Sequence, residues 1–551
     1  MKRNIFILLI VASILIVFST LIFASGTIEV KDYIKGKLPS IFSFYLSSLE
    51  ELDLYEKEFI DLLHKLPEEE QKYYAKEIYK NGFSPELLKE VKDGKKVQIP
   101  TSHPPEARIE WFQTGNIEPV TKFYTKKSEE LEDNRIGVLA GGLTGGGWKP
   151  GDPWDYTWMA DQIVGRGLKR FRVSIDNLDA GSVDLDWSIP QYTIDPSHDS
   201  LISLLAQNGV TMTYVLTFWD KDTWPGGKGA TCPRFKEEAE IERYLQFVQF
   251  MVNHFKDRIQ NFEIWNEPNI EQCPQWIEAA DYINLVRRAA PVIRQEYPEA
   301  KIVVGATTYL GEAGSQDYLF KILNSDIMPL VDIVSWHPMY GTSPEFDPEY
   351  YTKYPSILQR IKDTASAHGF NGTYEADELT WFTVDGKMTD GWSKRYSDTI
   401  AAKYMARSIV MHLGMDVTAG IGSALIFDSN WVSIPSTVRN LSTIMAGVKT
   451  TNFLVEIDTE AKNIVSYTFS LSNGDYLVAF WADDTASDDS FGVSATLTLP
   501  SLTAQQVIGM DVLNGFKQQL ITSDENGNLV VRNLLIKDYP IIIRFTDLKS
   551  P

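Results

Sequence analysis

The middle of the chain, residues 135–448, alternates between two patterns of apolar residues. Short apolar runs that end at glycine or polar residues predict strands, whereas apolar residues three or four positions apart predict amphipathic helices. The strands are predicted at 136–140, 170–176, 211–218, 260–266, 301–306, 331–337, 371–378 and 420–427, and the helices at about 158–164, 201–206, 235–257, 277–296, 314–324, 355–368, 394–413 and 436–447. This order predicts an α/β fold, with a parallel sheet closed into a (β/α)8 TIM barrel over residues 131–449.

The period of the apolar pattern changes from 3.6 to 2 after residue 450. Alternating apolar sets predict strands around 465–469, 476–480, 493–497 and 541–545, and Asn-Gly pairs at 473–474 and 526–527 predict hairpin turns. Residues 450–551 are therefore predicted to form a C-terminal antiparallel β-sandwich. Packing against the barrel is its more frequent use, and carbohydrate binding is the alternative.

The N-terminal part of the chain predicts a targeting segment followed by a spacer. A basic start and an uncharged, mostly apolar run at 5–24 predict a signal peptide or a membrane anchor over residues 1–26. Both alternatives place the rest of the chain outside the cytoplasm, either secreted or anchored to the outer face of the membrane. Residues 27–130 are predicted to be an N-terminal helical segment and linker, with a helical pattern over 45–93 that includes Leu52 and a linker or a loose strand pair over 94–130.

Charge and glycine spacing exclude two classes of ligand. The net charge of −22 argues against nucleic acid, because binding to phosphates needs a basic surface. The glycine-rich stretch 141–147 lacks the spacing of a dinucleotide-binding fingerprint, and no Gly-Lys-Ser/Thr follows as in a phosphate-binding loop. The motifs of zinc proteases are also absent from the sequence, and we expect neither a metal nor a cofactor.

The stretch 261–269, Asn-Phe-Glu-Ile-Trp-Asn-Glu-Pro-Asn, holds the strongest chemical signal. Phe262 and Ile264 suit a buried strand, and Pro268 ends it because proline cannot donate a ladder hydrogen bond. Asn266 and Glu267 are thereby placed at the carboxyl end of the fourth strand, where barrel enzymes carry their catalytic residues.

Trp-Asn-Glu-Pro-Asn at 265–269 resembles the acid/base signature of clan A glycoside hydrolases. The predicted barrel and trailing sandwich also resemble that clan, particularly family 39, over roughly residues 135–545. The resemblance implies a carbohydrate substrate and a retaining mechanism that uses two carboxyl groups. It makes Glu267 the acid/base, with a pKa raised by burial and by its charged partner, and Asn266 a ligand of the sugar 2-hydroxyl.

The second carboxyl group is expected at the end of the seventh strand, where Glu375, Asp377 and Glu378 compete. Glu378 is followed closely by Trp381, as the nucleophile of the clan is followed by a tryptophan. Strand alternation also places Glu375, three residues earlier, on the opposite face, and leaves Asp377 as a supporting acid. We therefore predict Glu378 as the nucleophile and keep Glu375 as the alternative.

Other predicted strand ends supply candidates for binding. The resemblance assigns Arg172 to a position whose guanidinium keeps the nucleophile ionised, with Arg170 as the alternative. His-Pro-Met-Tyr-Gly at 337–341 is similar to a clan loop in which Tyr340 bonds to the nucleophile and His337 lines the pocket. Four tryptophans fall in predicted loops, where each is a candidate sugar platform or a packing residue: Trp219, Trp224, Trp381 and Trp431.

The two cysteines, Cys232 and Cys273, lie in the loops after the third and fourth strands. Because export permits oxidation and neighbouring loops share one face, we predict a disulfide between them. Altogether the sequence predicts a retaining glycosidase that acts on β-linked glycans. A barrel that binds carbohydrate at the cell surface without catalysis is the alternative, and an anchored scaffold would leave the strand-end carboxylates unexplained.

Overall fold

The computed structural model describes one long part of the chain and a few short pieces. The described residues are 111–139, 156–174, 183–186, 191–194, 196–218, 232–271, 275–381, 396–422, 432–490 and 492–549, with 28–29, 51–52, 62–63, 65–66, 74 and 92 before them. Two compact units result, Met1–Ile109 and Glu110–Pro551. Among these residues, no helix has the length and apolar character needed to cross a membrane. The predicted targeting run at 5–24 lies outside them.

Few residues of the first unit are described. Ile28–Glu29 pairs antiparallel with Glu51–Leu52. Leu52 therefore belongs to a strand, although the sequence pattern placed it at the beginning of a helix. A single apolar residue among polar ones fits either period, because alternation needs several residues before it can be distinguished from helical spacing.

The second unit contains a closed barrel of parallel strands, as predicted. The strands are β1 (Ile136–Leu139), β2 (Arg170–Ser174), β3 (Thr211–Val215), β4 (Asn261–Glu263), β5 (Lys301–Thr307), β6 (Ile333–Trp336), β7 (Thr373–Thr380) and β8 (Thr418–Gly422). Neighbours in the chain are neighbours in the sheet, β8 pairs with β1, and β6 pairs with β7. The two-residue strand Met339–Tyr340 extends the pairing along the end of β7.

Each barrel strand is followed by a helix. The helices are α1 (Tyr156–Gly165), α2 (Pro196–Gln207), α3 (Glu238–Phe255), α4 (Ala279–Glu296), α5 (Ala313–Leu323), α6 (Pro348–Ala367), α7 (Asp398–Gly414) and α8 (Ser433–Ile444). Their apolar faces pack on the strands, and α7 is buried from Ala401 to its end at Gly414. A short hairpin of Val183–Asp186 and Gln191–Ile194, which the sequence pattern did not predict, lies between β2 and α2. The sequence order thus brings the carboxyl ends of all eight strands to one face.

The C-terminal strands form two antiparallel sheets, as predicted. The strands are β9 (Lys449–Thr451), β10 (Glu456–Thr459), β11 (Ile464–Ser470), β12 (Tyr476–Ala482), β13 (Val493–Leu499), β14 (Gln506–Asp511), β15 (Phe516–Gln519), β16 (Ser523–Glu525), β17 (Asn528–Ile536) and β18 (Ile541–Thr546). The larger sheet has the order β9-β11-β12-β18-β14-β15 and the smaller one β10-β13-β17-β16. Their apolar faces belong to the same continuous core as the barrel.

The sandwich also includes residues from before the barrel. Thr121–Lys122 adds a strand to the free edge of β15, and Gln113 bridges to Leu534 on β17. Phe112 is buried beneath them. This part of the chain, which the sequence pattern predicted as a linker or a loose strand pair, is therefore a structural part of the C-terminal sandwich. Its strand is too short for a period-2 signal.

Candidate active site

The turn after β4 presents Asn266 and Glu267 in a strained backbone conformation. Trp265 and Glu267 both have positive φ values, 69° and 45°, which are uncommon for residues with a side chain. Hydrogen bonds hold the turn: the Glu267 amide donates to the Ala306 carbonyl (2.8 Å), and the Trp265 indole donates to the Gln275 carbonyl (3.2 Å). The Gln275 side-chain amide in turn donates to the Asn266 carbonyl. The conformation that aims Glu267 is therefore fixed from two sides.

The carbonyl that receives the Glu267 amide depends on a glycine in β5. Gly305 has φ 127°, and the pairing of β5 with β6 shifts register between Val304 and Thr307. A Cβ atom at Gly305 would lie 2.2 Å from the Ser335 carbonyl oxygen, so only glycine fits. The irregular strand turns the Ala306 carbonyl toward the β4 turn, and it thereby positions Glu267.

Glu378 reaches the same place from β7 through a second irregularity. The pairing of β7 with β8 shifts register between Ala376 and Leu379. Because simple alternation is broken there, the adjacent residues Asp377 and Glu378 both approach His337. The Glu378 Oε2 atom lies 3.5 Å from His337 Nδ1, and the Asp377 Oδ1 atom lies 3.6 Å from His337 Nε2.

Glu375 lies deeper along the same strand. It pairs in register with Ser335 of β6 and Thr418 of β8. Burial raises its pKa to about 7, and Glu263 adds to this effect, while Arg170 and Arg172 oppose it. The alternation argument, which set Glu375 apart from Glu378 by strand face, is therefore incomplete. The two glutamates differ mainly in depth, and Glu378 is the one at the end of the strand.

Glu267, Glu378 and His337 form one cluster at this face of the barrel. Glu267 Oε1 lies 2.9 Å from His337 Nδ1, and one carboxylate oxygen of each glutamate lies within 4.8 Å of the other. The Tyr340 hydroxyl is 2.8 Å from His337 Nδ1 and 3.3 Å from Glu267 Oε1. The side chains of Glu267 and Glu378 are 18% and 25% exposed, whereas His337 is fully buried. Both carboxyl groups are thus open to a ligand above a buried imidazole.

The charges of this cluster distribute the protons unequally. Burial lowers the pKa of His337, but Glu378, Glu267 and Asp377 outweigh it and raise that pKa to about 9. Burial and the charge of Glu267 raise the pKa of Glu378. The prediction of a raised pKa for Glu267 is wrong for the ligand-free protein. Burial does favour its neutral form, but the His337 hydrogen bond and charge outweigh burial and lower the pKa of Glu267.

Arg172, rather than Arg170, reaches the site. Arg170 pairs with Asp133 and is partly exposed, whereas the Arg172 side chain is 6% exposed. Arg172 Nη2 donates to Asn266 Oδ1 (2.8 Å), and Nε donates to Glu263 Oε2 (2.5 Å). Its direct contacts are therefore with Asn266 and the deeper carboxylates, and it acts on Glu378 only through its charge.

Glu263 was missed as a site residue by the sequence patterns. It is fully buried in β4, where it accepts hydrogen bonds from Arg172 and from the Ser335 hydroxyl (2.5 Å). The available signal was a glutamate within an otherwise apolar strand, because buried carboxylates are rare unless they are paired. Tyr340 contacts both carboxyl groups, because its hydroxyl forms a hydrogen bond with Glu378 and also lies near Glu267 and His337.

The predicted sugar platforms are only partly described. Trp381 is fully buried, and its indole donates to the Thr342 carbonyl (3.0 Å). It lines a cavity of about 50 Å³ between the barrel and the sandwich, so its ring packs in the interior and is not an exposed platform. Trp219, Trp224 and Trp431 lie outside the described residues. Cys273 does as well, and its disulfide with Cys232 stays a prediction.

The same three groups could also hold a divalent cation. Glu267, His337 and Glu378 each offer one ligand atom at distances suited to an ion. The raised pKa of His337, about 9, works against this use, because a metal ligand must be deprotonated. The donor set therefore fits proton exchange between carboxyl groups better than it fits a resident metal.

Comparison with known proteins shows the fold. No family model matches the chain, and no curated protein sequence matches it. A family 39 glycoside hydrolase from the gut symbiont Bacteroides cellulosilyticus WH2 is similar in structure, with 14% identity, a TM-score of 0.54, and coverage of 76% of this chain and 82% of that one. A conserved exported protein from Bacteroides fragilis has 14% identity and a TM-score of 0.50, with coverage of 77% and 100%. This chain has the clan A-like fold, a (β/α)8 barrel with a β-sandwich.

Proposed function

We propose that this protein is a retaining glycoside hydrolase that cleaves β-glycosidic bonds in an oligo- or polysaccharide. The observation that carries the proposal is the pair Glu267 and Glu378, which face each other from the ends of β4 and β7. A carboxylate oxygen of one lies within 4.8 Å of an oxygen of the other. Retaining glycosidases place their two carboxyl groups roughly 5–5.5 Å apart, whereas inverting ones need room for a water molecule between them.

In the proposed reaction Glu378 attacks the anomeric carbon and Glu267 protonates the departing glycosidic oxygen. A glycosyl ester with Glu378 results, and the bond to the leaving group breaks. Glu267, now ionised, takes a proton from water as that water attacks the same carbon. The second displacement releases the sugar with its original configuration and restores both carboxyl groups.

His337 supplies a physical route to the proton that Glu267 needs. Its pKa of about 9 makes it a cation near neutral pH, and its Nδ1 is 2.9 Å from Glu267. Transfer of one proton along this hydrogen bond leaves a neutral imidazole and an acidic Glu267. Formation of the glycosyl ester then removes the charge of Glu378, which lowers the pKa of Glu267 and suits it to act as the base.

A second candidate mechanism exchanges the roles of Glu267 and Glu378, and one observation favours it. In the ligand-free protein the pKa of Glu267 is lowered and that of Glu378 is raised, which suits Glu267 as nucleophile and Glu378 as acid. We prefer the first assignment because Asn266 directly precedes Glu267, and the resemblance to clan A places the acid/base after that asparagine. The two assignments predict different products in the following experiment.

The experiment is azide rescue of Glu378→Ala and Glu267→Ala with a β-glycoside that carries an activated aryl leaving group. If Glu378 is the nucleophile, azide restores the activity of Glu378→Ala and the product is an α-glycosyl azide. In Glu267→Ala, azide instead reacts with the glycosyl-enzyme intermediate and the product is a β-glycosyl azide. The opposite configurations would establish the exchanged roles. Glu375→Ala serves as the matched control, and rescue there with an inverted product would make Glu375 the nucleophile.

A broad panel of aryl glycosides and polysaccharides tests whether the protein is an enzyme. We expect the wild-type protein to cleave at least one β-linked member, and Glu267→Gln to lose about 10²- to 10⁴-fold in rate on substrates with poor leaving groups. Binding of oligosaccharides without any cleavage would instead support the non-catalytic barrel.

We also propose that the protein works outside the cytoplasm. The apolar run at 5–24 after a basic start supports export, and Cys232 and Cys273 are suited to a disulfide in an oxidising compartment. The mass of the exported protein after thiol alkylation tests the second point. Two alkylated cysteines without prior reduction would contradict the disulfide.

A further inference from the structure

Asp377 is a buried carboxyl group beneath the proposed catalytic pair. It is 4% exposed, and its Oδ2 atom lies 3.1 Å from Arg172 Nε. Its Oδ1 atom is 3.6 Å from His337 Nε2, outside hydrogen-bond geometry. Within the described part of the chain, neither oxygen of Asp377 accepts a hydrogen bond. An ionised carboxylate that is buried without a hydrogen-bond donor would lower the stability of the folded protein, so an ionised Asp377 does not account for this geometry.

Glu263 competes with Asp377 for the same donor. Arg172 Nε is 2.5 Å from Glu263 Oε2 and 3.1 Å from Asp377 Oδ2. This nitrogen carries one hydrogen atom, and the shorter contact with Glu263 is the one with hydrogen-bond geometry. Two carboxyl groups thus lie side by side with one N–H between them. A single proton on one of them would supply the missing donor, as in other pairs of closely placed carboxyl groups.

We propose that Asp377 is a positioning residue that is held as a neutral carboxylic acid and donates its O–H to the Glu263 carboxylate. The proposal rests on the proposed function for its catalytic consequence, but not for the protonation state itself. Glu263 is the ionised partner because it already accepts from Arg172 and from Ser335. The pair then carries one negative charge, which the Arg172 guanidinium balances.

The surrounding groups agree with a neutral Asp377. The charged and titratable side chains that act on Asp377, or on which it acts, are Arg172, Glu263, Tyr282, His337 and Tyr340, and Glu378 is its neighbour in the chain. Burial raises the pKa of Asp377 well above its usual range, and the charge and hydrogen bond of Glu263 add to this effect. Arg172 and His337 oppose it without reversing the direction.

The neutral acid affects the reaction through Arg172. With Glu263 held by Asp377 and Ser335, the Arg172 guanidinium is fixed, and its Nη2 donates to Asn266 Oδ1 (2.8 Å). Asn266 precedes Glu267 and is the proposed ligand of the sugar 2-hydroxyl. Asp377 therefore acts on the sugar through three other residues and touches no reacting atom.

Asp377→Asn and Asp377→Leu test this inference in kinetics. Asparagine is neutral and can donate to Glu263, so we expect kcat/KM within about threefold of the wild type and an unchanged pH profile. Leucine has a similar size but no donor. We expect it to lower kcat/KM at least about tenfold, because a loosened Arg172 misplaces Asn266. If both variants lose activity equally and the acidic limb of the pH profile shifts in Asp377→Asn, Asp377 is ionised and the proposal is wrong.

Infrared spectroscopy tests the protonation state without any substrate. A protonated carboxyl group has a C=O stretching band that shifts in D₂O. We expect this band in the wild type at about pH 8.5, where Glu375, with a pKa of about 7, is ionised. Asp377→Asn should remove it, and the control Glu375→Gln should retain it. If Asp377→Asn keeps the band, the inference is wrong. This outcome decides the inference even if the protein cleaves no glycoside and the proposed function fails.

Discussion

Two clusters of buried charge in the same unit differ in how completely their polar atoms are paired. One, the interface cluster, joins the barrel to the sandwich and consists of Lys403, Arg407, Asp483 and Asp538. Lys403 and Arg407 are each 2% exposed, and they pair with Asp538 at 2.8 Å and with Asp483 at 3.3 Å. The other, the site cluster, lies at the carboxyl ends of the barrel strands and holds Arg172, Glu263, Glu267, His337, Asp377 and Glu378.

In the interface cluster the donors meet acceptors. Arg407 donates to the carbonyls of Asp484 (2.7 Å) and Asp538 (2.6 Å) as well as to Asp483, and Asp483 also accepts from the Trp481 indole (2.7 Å). In the site cluster Arg172 Nη1, His337 Nε2 and both oxygens of Asp377 meet no partner among the described residues. Fully paired buried networks hold a structure rigid, whereas partly paired ones can change protonation or accept a ligand. This contrast fits a structural role for the first cluster and the proposed catalytic role for the second.

The largest effect on stability is expected from Arg407→Met. The variant keeps the volume of the side chain but leaves Asp483 without its cation and three backbone carbonyls without a donor. Removal of one partner from a buried ion pair costs about 3–5 kcal/mol in the free energy of unfolding. Chemical denaturation of the second unit should show this loss, while kcat/KM of the remaining folded protein stays near that of the wild type.

Arg287→Met is the matched control for this prediction. Arg287 and its partner Asp326 are 44% and 73% exposed, so the pair contributes at most about 1 kcal/mol. Equal losses for the two variants would show that the interface cluster is no more stabilising than a surface pair.

Glu375→Gln is expected to stabilise the protein in a pH-dependent manner. The folded-state pKa of Glu375 is about 7 and the ordinary value is 4.5, so between these values the folded state binds more protons than the unfolded state. The stability of the wild type therefore falls as the pH rises from 4.5 to about 7, and glutamine removes this loss. The gain should reach up to about 3 kcal/mol at pH 7 and above, measured by urea denaturation across this range.

The control for the pH effect is Glu349→Gln. This exposed carboxylate pairs with Lys353, which lowers its pKa, so its replacement should give no gain as the pH rises. If Glu375→Gln has the same flat pH dependence, the barrel interior does not hold Glu375 in its neutral form.

The sequence predicts most of the fold because the barrel repeats one local pattern eight times. The barrel helices are long enough for their apolar period to be recognised, short apolar runs mark the strands between them, and the order of units then determines the order of strands. The position and partner of the strand Thr121–Lys122 were not predicted, because it spans two residues and its partner β15 lies almost 400 positions later in the chain. Pairing between residues so far apart in the chain produces no local pattern in the sequence.

The sequence identified most residues of the candidate site, but it did not predict which of them carry protons. Strand ends identified Glu267, Glu378, His337 and Arg172, which the structure brings together. The inward approach of both Asp377 and Glu378 was not predictable from alternation, because a register shift in β7 breaks the period of two. The direction of the Glu267 pKa depends on whether His337 lies nearer to Glu267 or to Glu378. That difference, 2.9 Å against 3.5 Å, exists only in three dimensions.

The smallest change compares the two clusters directly, by removal of one hydroxyl group from each. In the interface cluster the Tyr351 hydroxyl donates to Asp483 (2.6 Å), so Tyr351→Phe should cost about 1 kcal/mol in stability and leave kcat/KM unchanged. In the site cluster the Tyr340 hydroxyl lies between His337 and Glu267. Tyr340→Phe should lower kcat/KM about tenfold or more, with a smaller change in stability, because this hydroxyl helps to set the charge of the proposed catalytic pair.

Tyr124→Phe, at a side chain that is 95% exposed, is the control and should change neither quantity. Denaturation curves and initial rates on the same preparations separate the two effects. If Tyr351→Phe lowers kcat/KM as much as Tyr340→Phe does, the interface cluster is coupled to catalysis. Trp381 would be the connection, since it lines the cavity beside Tyr351 and lies three residues after Glu378. If neither variant changes kcat/KM, the incomplete pairing of polar atoms around Tyr340 does not indicate a catalytic role. The two clusters would then not differ in function.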